Sequence, residues 1–423
     1  MMETSKTHPT STGLPRPLEG VRILDLTVAL AGPYCSLLLG GLGAEVIKIE
    51  GPGAGEIARN NPPFFGKNGV HLGAIQEGDI SATILTRGRN KESITLDLKS
   101  DRGREIFMRL ARLSDVVLEN LSDGTAERLG VGYAAVREAN PKIIYGSISG
   151  LGEGHPYPGM KAMDIIVQAL SGAMDVTGFE DGPPMRFGLP IADLLAPLFM
   201  TSGILSGLIQ RGRTGTGQHV KVSMLDCLAS LLPIEHFDLF QRFGLPPRSG
   251  NHHNRLCPFG IFVTRNGHVA IAAVADDWLR GLLDAMSQPE LLADPRFNGR
   301  GPRTTNANAL NALIEAWTRQ HTTDEIVTEL YAKRGVPCAP VRTVAEVLAD
   351  PRLHATGALQ PLSHPRFGPI DAVGMGLPIS FSGSQAGFER PARELGASND
   401  AVYGDLLGLS ESEIGDLKAH NII

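Results

Sequence analysis

The chain is short of cysteine, of positive charge and of uninterrupted apolar runs, and each shortage excludes a class of protein. There are 4 cysteines in 423 residues. Cys35, Cys227, Cys257 and Cys338 lie far apart and form no C-x-x-C pair. That excludes a disulfide framework and a zinc site of ordinary spacing, and fits reduced thiols in a cytoplasmic protein. Lys and Arg number 39 against 45 Asp and Glu, a net charge of −6, so a general nucleic-acid binder is excluded: neutralising phosphates needs an excess of bases. The longest apolar run, "LLAPLFMTSGILSGLI", is broken by Pro, Ser and Thr and falls short of a comfortable bilayer span, so a buried helix and no membrane partner are expected. The opening "MMETSKTHPTSTGLPRP" lacks the apolar stretch of a signal peptide and reads as a flexible tail over residues 1–17.

What is present is globular. The length exceeds one ordinary core, so two domains are expected. "VRILDL", "EVIKIE", "ESITLDL", "DVVLEN" and "KIIYGSIS" read as strands. Helix-length segments such as "AGPYCSLLLGGLG", "SDRGREIFMRLARL" and "YAAVREAN" lie among them. The stretch from Gly51 to Lys91 reads as irregular. Strands alternating with helices imply an α/β fold with a mainly parallel, Rossmann-like sheet, whose ligands sit at the carboxyl ends of the strands. A long helix follows Asp193 to about Arg211, then the strand "HVKVSM". From Gly244 to Pro340 the texture changes to a smaller α+β domain, with Asn266-Gly267 predicting a two-residue hairpin turn. The expected division is 18–230 for the large domain, with 341–423 returning to it, and 244–340 for the small one.

Several familiar motifs are missing. "GGLGAE" follows a helix, whereas a dinucleotide fingerprint follows a strand and opens a helix. No P-loop, H-E-x-x-H or G-x-S-x-G occurs. His252 and His253 lie side by side in a loop without a partner at metal-helix spacing, so a substrate contact is the better reading. Arg87, Arg89 and Lys91 in "RGRNK", with Lys99, Arg128 and Lys161, punctuate the loops where a phosphorylated ligand would lie. In "FGLPIADLLAPLF" one carboxylate, Asp193, stands in an apolar run. An unpaired carboxylate is costly to bury, so Asp193 is either a helix cap or a nucleophile held ionised by the helix N-terminus.

"PLEGVRILDLT…AGPYCSLLLGGLGAEVIKIE", "RNKESITLDLK", "DVVLENLSDGTAERLGVGY", "NPKIIYGSISGLGEGHP", "DIIVQALSGAMDVTG", "GPPMRFGLPIADL", "RTGTGQHVKVSMLDC" and "YAKRGVPCAPV" occur in one order and spacing. In these segments the sequence resembles the class III CoA-transferases, the family of the formyl-CoA and carnitine CoA-transferases. The resemblance implies an interlocked dimer, with a heteromeric pairing as the other form. It also implies an acyl-CoA donor and a small carboxylic acid acceptor as partners, and coenzyme A as substrate with no permanently bound cofactor. It places the family's aspartyl nucleophile on Asp193 and its CoA contacts on Ala31, Leu96, Lys99, Asn120, Leu121, Arg128, Leu129 and Lys161. His252 and His253 fall in the loop expected over the acyl site. Leu30, Asn61 and Met163 stand where the formyl-CoA branch has Gln, Trp and Tyr, which implies a larger or less polar acyl group. Met163 also replaces the proton-moving His of the related racemases, which weighs against the two alternatives' stronger member, an acyl-CoA isomerase using Asp193 as base. The other alternative is a non-catalytic CoA-binding protein.

Overall fold

The computed structural model describes residues 13–157 and 159–423. Most of the expected tail, residues 1–12, lies outside that range. Its remainder is held: the Arg16 guanidinium donates to the carbonyls of Gly387 (2.7 Å) and Gly41 (3.2 Å).

The chain forms two compact units. The first comprises residues up to Val167, Leu189–Leu228 and Asp350–Ile423, and the second Gln168–Gly188 and Ala229–Ala349. The second therefore takes in 168–188, 229–243 and 341–349 as well as the stretch from Gly244 to Pro340.

The first unit is organised by six parallel strands: β1 (Arg22–Asp25), β2 (Glu45–Glu50), β3 (Lys91–Thr95), β4 (Val116–Glu119), β5 (Ile144–Ser149) and β6 (Gln218–Ser223). Their order is β3-β2-β1-β4-β5-β6, that of a doubly wound dinucleotide-binding sheet, with the topological switch between β1 and β4. The strands are apolar because both faces are covered: Ile23, Leu24, Ile47, Val116, Val117 and Ile144 are fully buried. The helices form where the sequence supplies starts and stops. Ser100 caps α2 (Asp101–Arg112), its hydroxyl accepting from the Gly103 N–H at 3.0 Å. α1 (Ala31–Gly41) needs glycine at its second residue: a Cβ on Gly32 would lie 2.3 Å from Thr27 Cβ and 3.0 Å from Asn120 Cγ. That glycine lets α1 begin directly over the switch point.

Three expectations need correction. The stretch after Gly51 holds a small antiparallel sheet (Phe64–Gly66, Gly69–His71 and Ile80–Ser81) and a helix, Ala82–Arg87; strands of two or three residues are too short to leave a readable period. The apolar run after Asp193 lies within a 24-residue helix, Ile191–Thr214, long and apolar enough by length and composition to cross a membrane, with only 33% of its most apolar window buried. It packs on α1, β5 and β6, while Leu198, Phe199 and Ile209 on its outer side are 48%, 45% and 61% exposed.

The third correction lies in the second unit. There the strands β7 (Phe259–Val263), β8 (His268–Ala272) and β9 (Cys338–Pro340) form an antiparallel sheet. Phe262, Val269 and Ile271 pack with Leu279, Leu282, Leu310 and Ile314 of the helices Asp276–Ala285 and Ala307–Thr318. Val263 pairs with His268, so the hairpin loop has four residues and not two. Asn266 is not bent into a left-handed turn; its side-chain oxygen accepts instead from the Thr323 N–H at 2.9 Å. Docking that amide on the helix Thr323–Val327 outweighs the local turn preference.

The carboxyl end of β1 carries a buried ionic cluster. Asp25 is fully buried; its carboxylate accepts from the Thr27 N–H (2.9 Å), the Ser36 hydroxyl (2.5 Å) and Lys91 Nζ (3.1 Å), with Lys48 Nζ at 3.8 Å. Burial alone would raise its pKa, but Lys91, Lys48 and the two hydroxyls reverse this and bring it to about 2. Lys91, read from the sequence as a phosphate ligand, is therefore spent inside the fold. So is Arg89, which donates to the Met375 carbonyl at 2.6 Å and covers the Phe388 ring. Replacing Asp25 by Ala strands two buried ammonium groups, and a stability loss of about 3–5 kcal/mol is expected, read from the urea midpoint. A loss below about 1 kcal/mol, the value of an exposed pair, would show that the cluster is not a buried ionic tie.

Candidate active site

The site is built from the carboxyl edge of the parallel sheet. Between β1 and α1 the chain turns through Thr27–Leu30, with Ala29 in the left-handed region at φ 63°. An alanine holds that conformation only where its surroundings enforce it. Here the Ala29 N–H donates to Glu56 at 2.8 Å and its carbonyl accepts from Arg87. Across the switch point Asn120 binds both backbone groups of Val28: its side-chain oxygen accepts from the Val28 N–H at 2.7 Å and its amide donates to the Val28 carbonyl at 2.9 Å. Ala31, Asn120 and Leu30 are thus assembled at the crevice where such sheets bind ligands.

Two helices bring the carboxylate. α4 (Asp164–Leu170) opens on Asp164, and α5 (Ile191–Thr214) has Asp193 in its first turn. Asp193 is not the cap of its own helix. That position is Pro190, which has no side-chain donor or acceptor, and the free N–H groups of Ala192 and Asp193 turn to Asp164 Oδ1 at 2.9 and 3.4 Å. The Asp193 carboxylate is left half-buried and uncommitted to capping. Burial first, and the neighbouring Asp164 charge second, raise its pKa to about 6, with Arg87 opposing them. The helix N-terminus favours the anion as expected, but it is shared with Asp164 and does not keep Asp193 at an ordinary carboxylate pKa. Above pH 6 Asp193 is an ionised, poorly hydrated carboxylate, more basic than an exposed one.

The remaining expected contacts spread along the same edge. Leu96 is buried just after β3, its N–H on the Glu50 carbonyl at 2.7 Å, and Lys99 is exposed in the loop that follows. Leu121 follows β4, its N–H on Glu119 at 2.8 Å. Arg128 is exposed on the short helix α3 (Thr125–Arg128), tied to the Thr125 hydroxyl at 2.6 Å, and Leu129 packs on the core behind it. Lys161 and Asn61 are exposed, and Met163 is 71% exposed. β3 and β4 are three strand spacings apart, about 14 Å, so only an elongated ligand could touch Lys99 and Leu121 together.

His252 and His253 belong to the second unit. Both line a cavity of about 1020 Å³ there, whose other walls include Phe237, Phe240, Phe259, Ile271 and Tyr331. Burial lowers the pKa of each ring, so both are neutral near pH 7. Among the described residues no group of three or more His, Cys, Asp or Glu is placed to hold a metal ion.

The model of CoA-transferase family III matches residues 18–399. The chain belongs to CoA-transferase family III. Relatives of this family III chain include the succinyl-CoA:mesaconate CoA-transferase of Haloarcula hispanica, 38% identical over 82% of this chain and 86% of that protein. The succinyl-CoA–D-citramalate CoA-transferase of Chloroflexus aurantiacus is 35% identical over 97% of this chain and 98% of its own. Among solved structures, a CAIB/BAIF family protein from Brucella suis superposes with a TM-score of 0.78 at 34% identity, covering 93% of this chain and all of that one. The chain is thus an acyl-CoA:carboxylate CoA-transferase, and acyl-CoA and a carboxylate are its substrates.

Asp164 was invisible as a site residue in the sequence, although an acidic residue opening the helix "DIIVQAL" was a signal that it faces a helix end. Its charge predicts a shift. The acid limb of kcat/KM for this transferase should fall near pH 6, with a tenfold loss per unit below it as Asp193 protonates. Asp164→Asn keeps an acceptor for the α5 N–H groups but removes the repelling charge, so the limb should move to lower pH. A limb that stays in place or rises in this variant would show that Asp164 does not set the charge state of Asp193.

Proposed function

We propose that the transfer runs through a covalent intermediate on Asp193. The ionised carboxylate attacks the thioester carbonyl of the donor, forming a mixed anhydride and expelling CoA thiolate. The thiolate attacks the aspartyl carbonyl, releasing the donor acid and leaving Asp193 as a CoA thioester. The acceptor carboxylate then attacks that thioester, regenerating an anhydride and thiolate, and thiolate attack on the new acyl carbonyl frees acyl-CoA and Asp193. One thioester is exchanged for another, so the cycle calls for no ATP, and dividing it into four displacements lowers each barrier. The observation that carries this reading is the position of Asp193: half-buried in the first turn of α5, relieved of capping by Asp164, with its pKa near 6.

In the same reading Ala31, Leu96, Lys99, Asn120, Leu121, Arg128, Leu129 and Lys161 receive coenzyme A, the cations meeting phosphates and the apolar residues the pantetheine arm and adenine. Leu30, Asn61 and Met163 face the acyl group. Succinyl-CoA is the proposed donor, supported by relatives named for it. The enzyme works in the cytoplasm as a homodimer, for which the exposed Leu198, Phe199 and Ile209 of α5 offer an apolar face for a second copy.

The test is incubation with succinyl-CoA and a panel of other acyl-CoAs, then hydroxylamine or borohydride and peptide mass mapping. An aspartyl thioester yields a hydroxamate or an alcohol on Asp193. Asp193→Ala should lose transfer by at least about 10³-fold, since the covalent route is gone, while CoA still binds. Turnover surviving in that variant, or label on another residue, would overturn the assignment.

A further inference from the structure

The turn between β1 and α1 is gripped on both sides of a single residue, and the transfer chemistry uses neither grip. Ala29 is exposed and sits in the left-handed region at φ 63°. A Cβ makes that conformation unfavourable, so its partners must enforce it. The Ala29 N–H donates to Glu56 Oε2 at 2.8 Å, and the Ala29 carbonyl accepts from Nη1 of Arg87. One bond holds the peptide plane before Ala29 and the other the plane after it. Both are charge-assisted, which makes them stronger than bonds between neutral groups.

Glu56 can act as a fixed point because its own backbone is anchored. It is 7% exposed; its N–H donates to Glu50 Oε2 at 3.1 Å, and its carbonyl accepts from the Arg59 N–H at 3.0 Å. Glu50, the last residue of β2, is held in turn by the Arg59 guanidinium, with Nε on Oε2 at 2.7 Å and Nη2 on Oε1 at 2.6 Å. Ser93 of β3 completes this base, its hydroxyl donating to Glu50 Oε1 at 3.3 Å. The chain reaches Glu56 through Gly55, at φ 66°. A Cβ on Gly55 would lie 2.8 Å from Glu50 Oε2 and 2.7 Å from Arg59 Cδ, so glycine is what admits the approach. An unbroken run of hydrogen bonds thus leads from β2 and β3 to the Ala29 N–H.

Alanine at this position makes the turn depend on its partners. Glycine adopts the left-handed region unaided, whereas alanine, once released, falls back to the right-handed or extended regions. That change rotates the peptides flanking Ala29 and re-aims Leu30 and Ala31, the residues that lead into α1. Asn120 holds the Val28 carbonyl, in the same plane as the Ala29 N–H, at 2.9 Å, so loss of Glu56 loosens the turn without dissolving it.

We infer that Glu56 is a positioning residue for the acyl-CoA, holding Ala29 in the left-handed conformation that directs Leu30 and Ala31 to the ligand. The inference rests on the reading of Leu30 as an acyl contact and of Ala31 as a CoA contact. Glu56 acts through the backbone of Ala29, so its effect falls on binding and leaves the displacements at Asp193 alone.

The experiment measures KM and kcat for succinyl-CoA at about pH 8, where Asp193 is ionised, and the dissociation constant of CoA by calorimetry. Glu56→Ala should raise KM and the dissociation constant about five- to tenfold, the effect of one lost hydrogen bond, with kcat within about twofold. Glu56→Gln keeps an acceptor for the Ala29 N–H without the charge and should recover most of the loss. Added to Ala29→Gly, Glu56→Ala should raise KM by less than about twofold, because glycine holds the left-handed conformation without help. A fall in kcat alone, equal losses in Glu56→Gln and Glu56→Ala, or the full loss in the Ala29→Gly background would each overturn the inference. Amide exchange separates the clamp from the site reading. An Ala29 N–H still protected in Glu56→Ala defeats the clamp, whereas an unprotected N–H with unchanged CoA affinity defeats the placement of Leu30 and Ala31 at the ligand. If Glu56→Ala does not fold, the wild type decides: Ala29 is exposed, so slow exchange of its N–H sustains the bond to Glu56, and exchange as fast as in an open chain overturns it.

Discussion

The Asp25 carboxylate is the contact on which the first unit depends. It closes β1, and its partners come from three other places: Ser36 on α1, Lys48 on β2 and Lys91 on β3. A buried ion pair is neutral on balance, because desolvation offsets the attraction, but an incomplete one is costly. The cluster therefore acts through completeness. Only the arrangement in which α1 lies over the end of β1, with β2 and β3 in register, gives every charge its partner. Lys91 also donates to the Pro33 carbonyl at 2.9 Å and Lys48 to that of Thr27, so the same ammonium groups hold the turn from which Ala29, Leu30 and Ala31 project.

Asp25 and Asp193 show how neighbours decide what a carboxylate does. Both are withdrawn from water, and burial alone would raise both pKa values. Asp25 meets two ammonium groups and two hydroxyls and ends at about 2; Asp193 meets another carboxylate and ends at about 6. The first is locked as a structural anion. The second is held where it is ionised at neutral pH yet more basic than an exposed carboxylate. Asp164 contributes through its charge, which opposes ionisation of Asp193, while its carboxylate accepts from the first N–H groups of α5.

The parallel sheet explains why the candidate ligand contacts are scattered through the sequence. In a doubly wound sheet every strand ends on the same edge, so residues after β1, β3 and β4 line one rim although almost a hundred positions separate Ala31 from Arg128. A rim of that length suits a long, thin molecule with charge at one end and a reactive group at the other. Coenzyme A thioesters have that shape, and the acyl-CoA substrates of family III are of this class.

The strands, the major helices and the α/β class were legible in the sequence because period and capping are local. "EVIKIE" and "VVLE" are apolar on both faces, and Ser100 precedes a helical pattern with its cap already in place. Asp193 was legible as an anomaly, one charge in an apolar run. Its surroundings were not. That Lys91 and Arg89 are consumed by the core while Arg87 is left near Asp193 depends on which way each side chain of "RGRNK" points once β3 joins the sheet. Asp164 lies 29 positions before Asp193, and no local pattern links them. The four-residue loop at Asn266 has the same cause: the turn preference is local, but the Thr323 N–H that outcompetes it arrives from 57 residues away. The sequence by itself determined which segments become strands and helices and which carboxylate stands out in an apolar run; only the tertiary structure decided its charge, because an aspartate's pKa is set by what surrounds it in space.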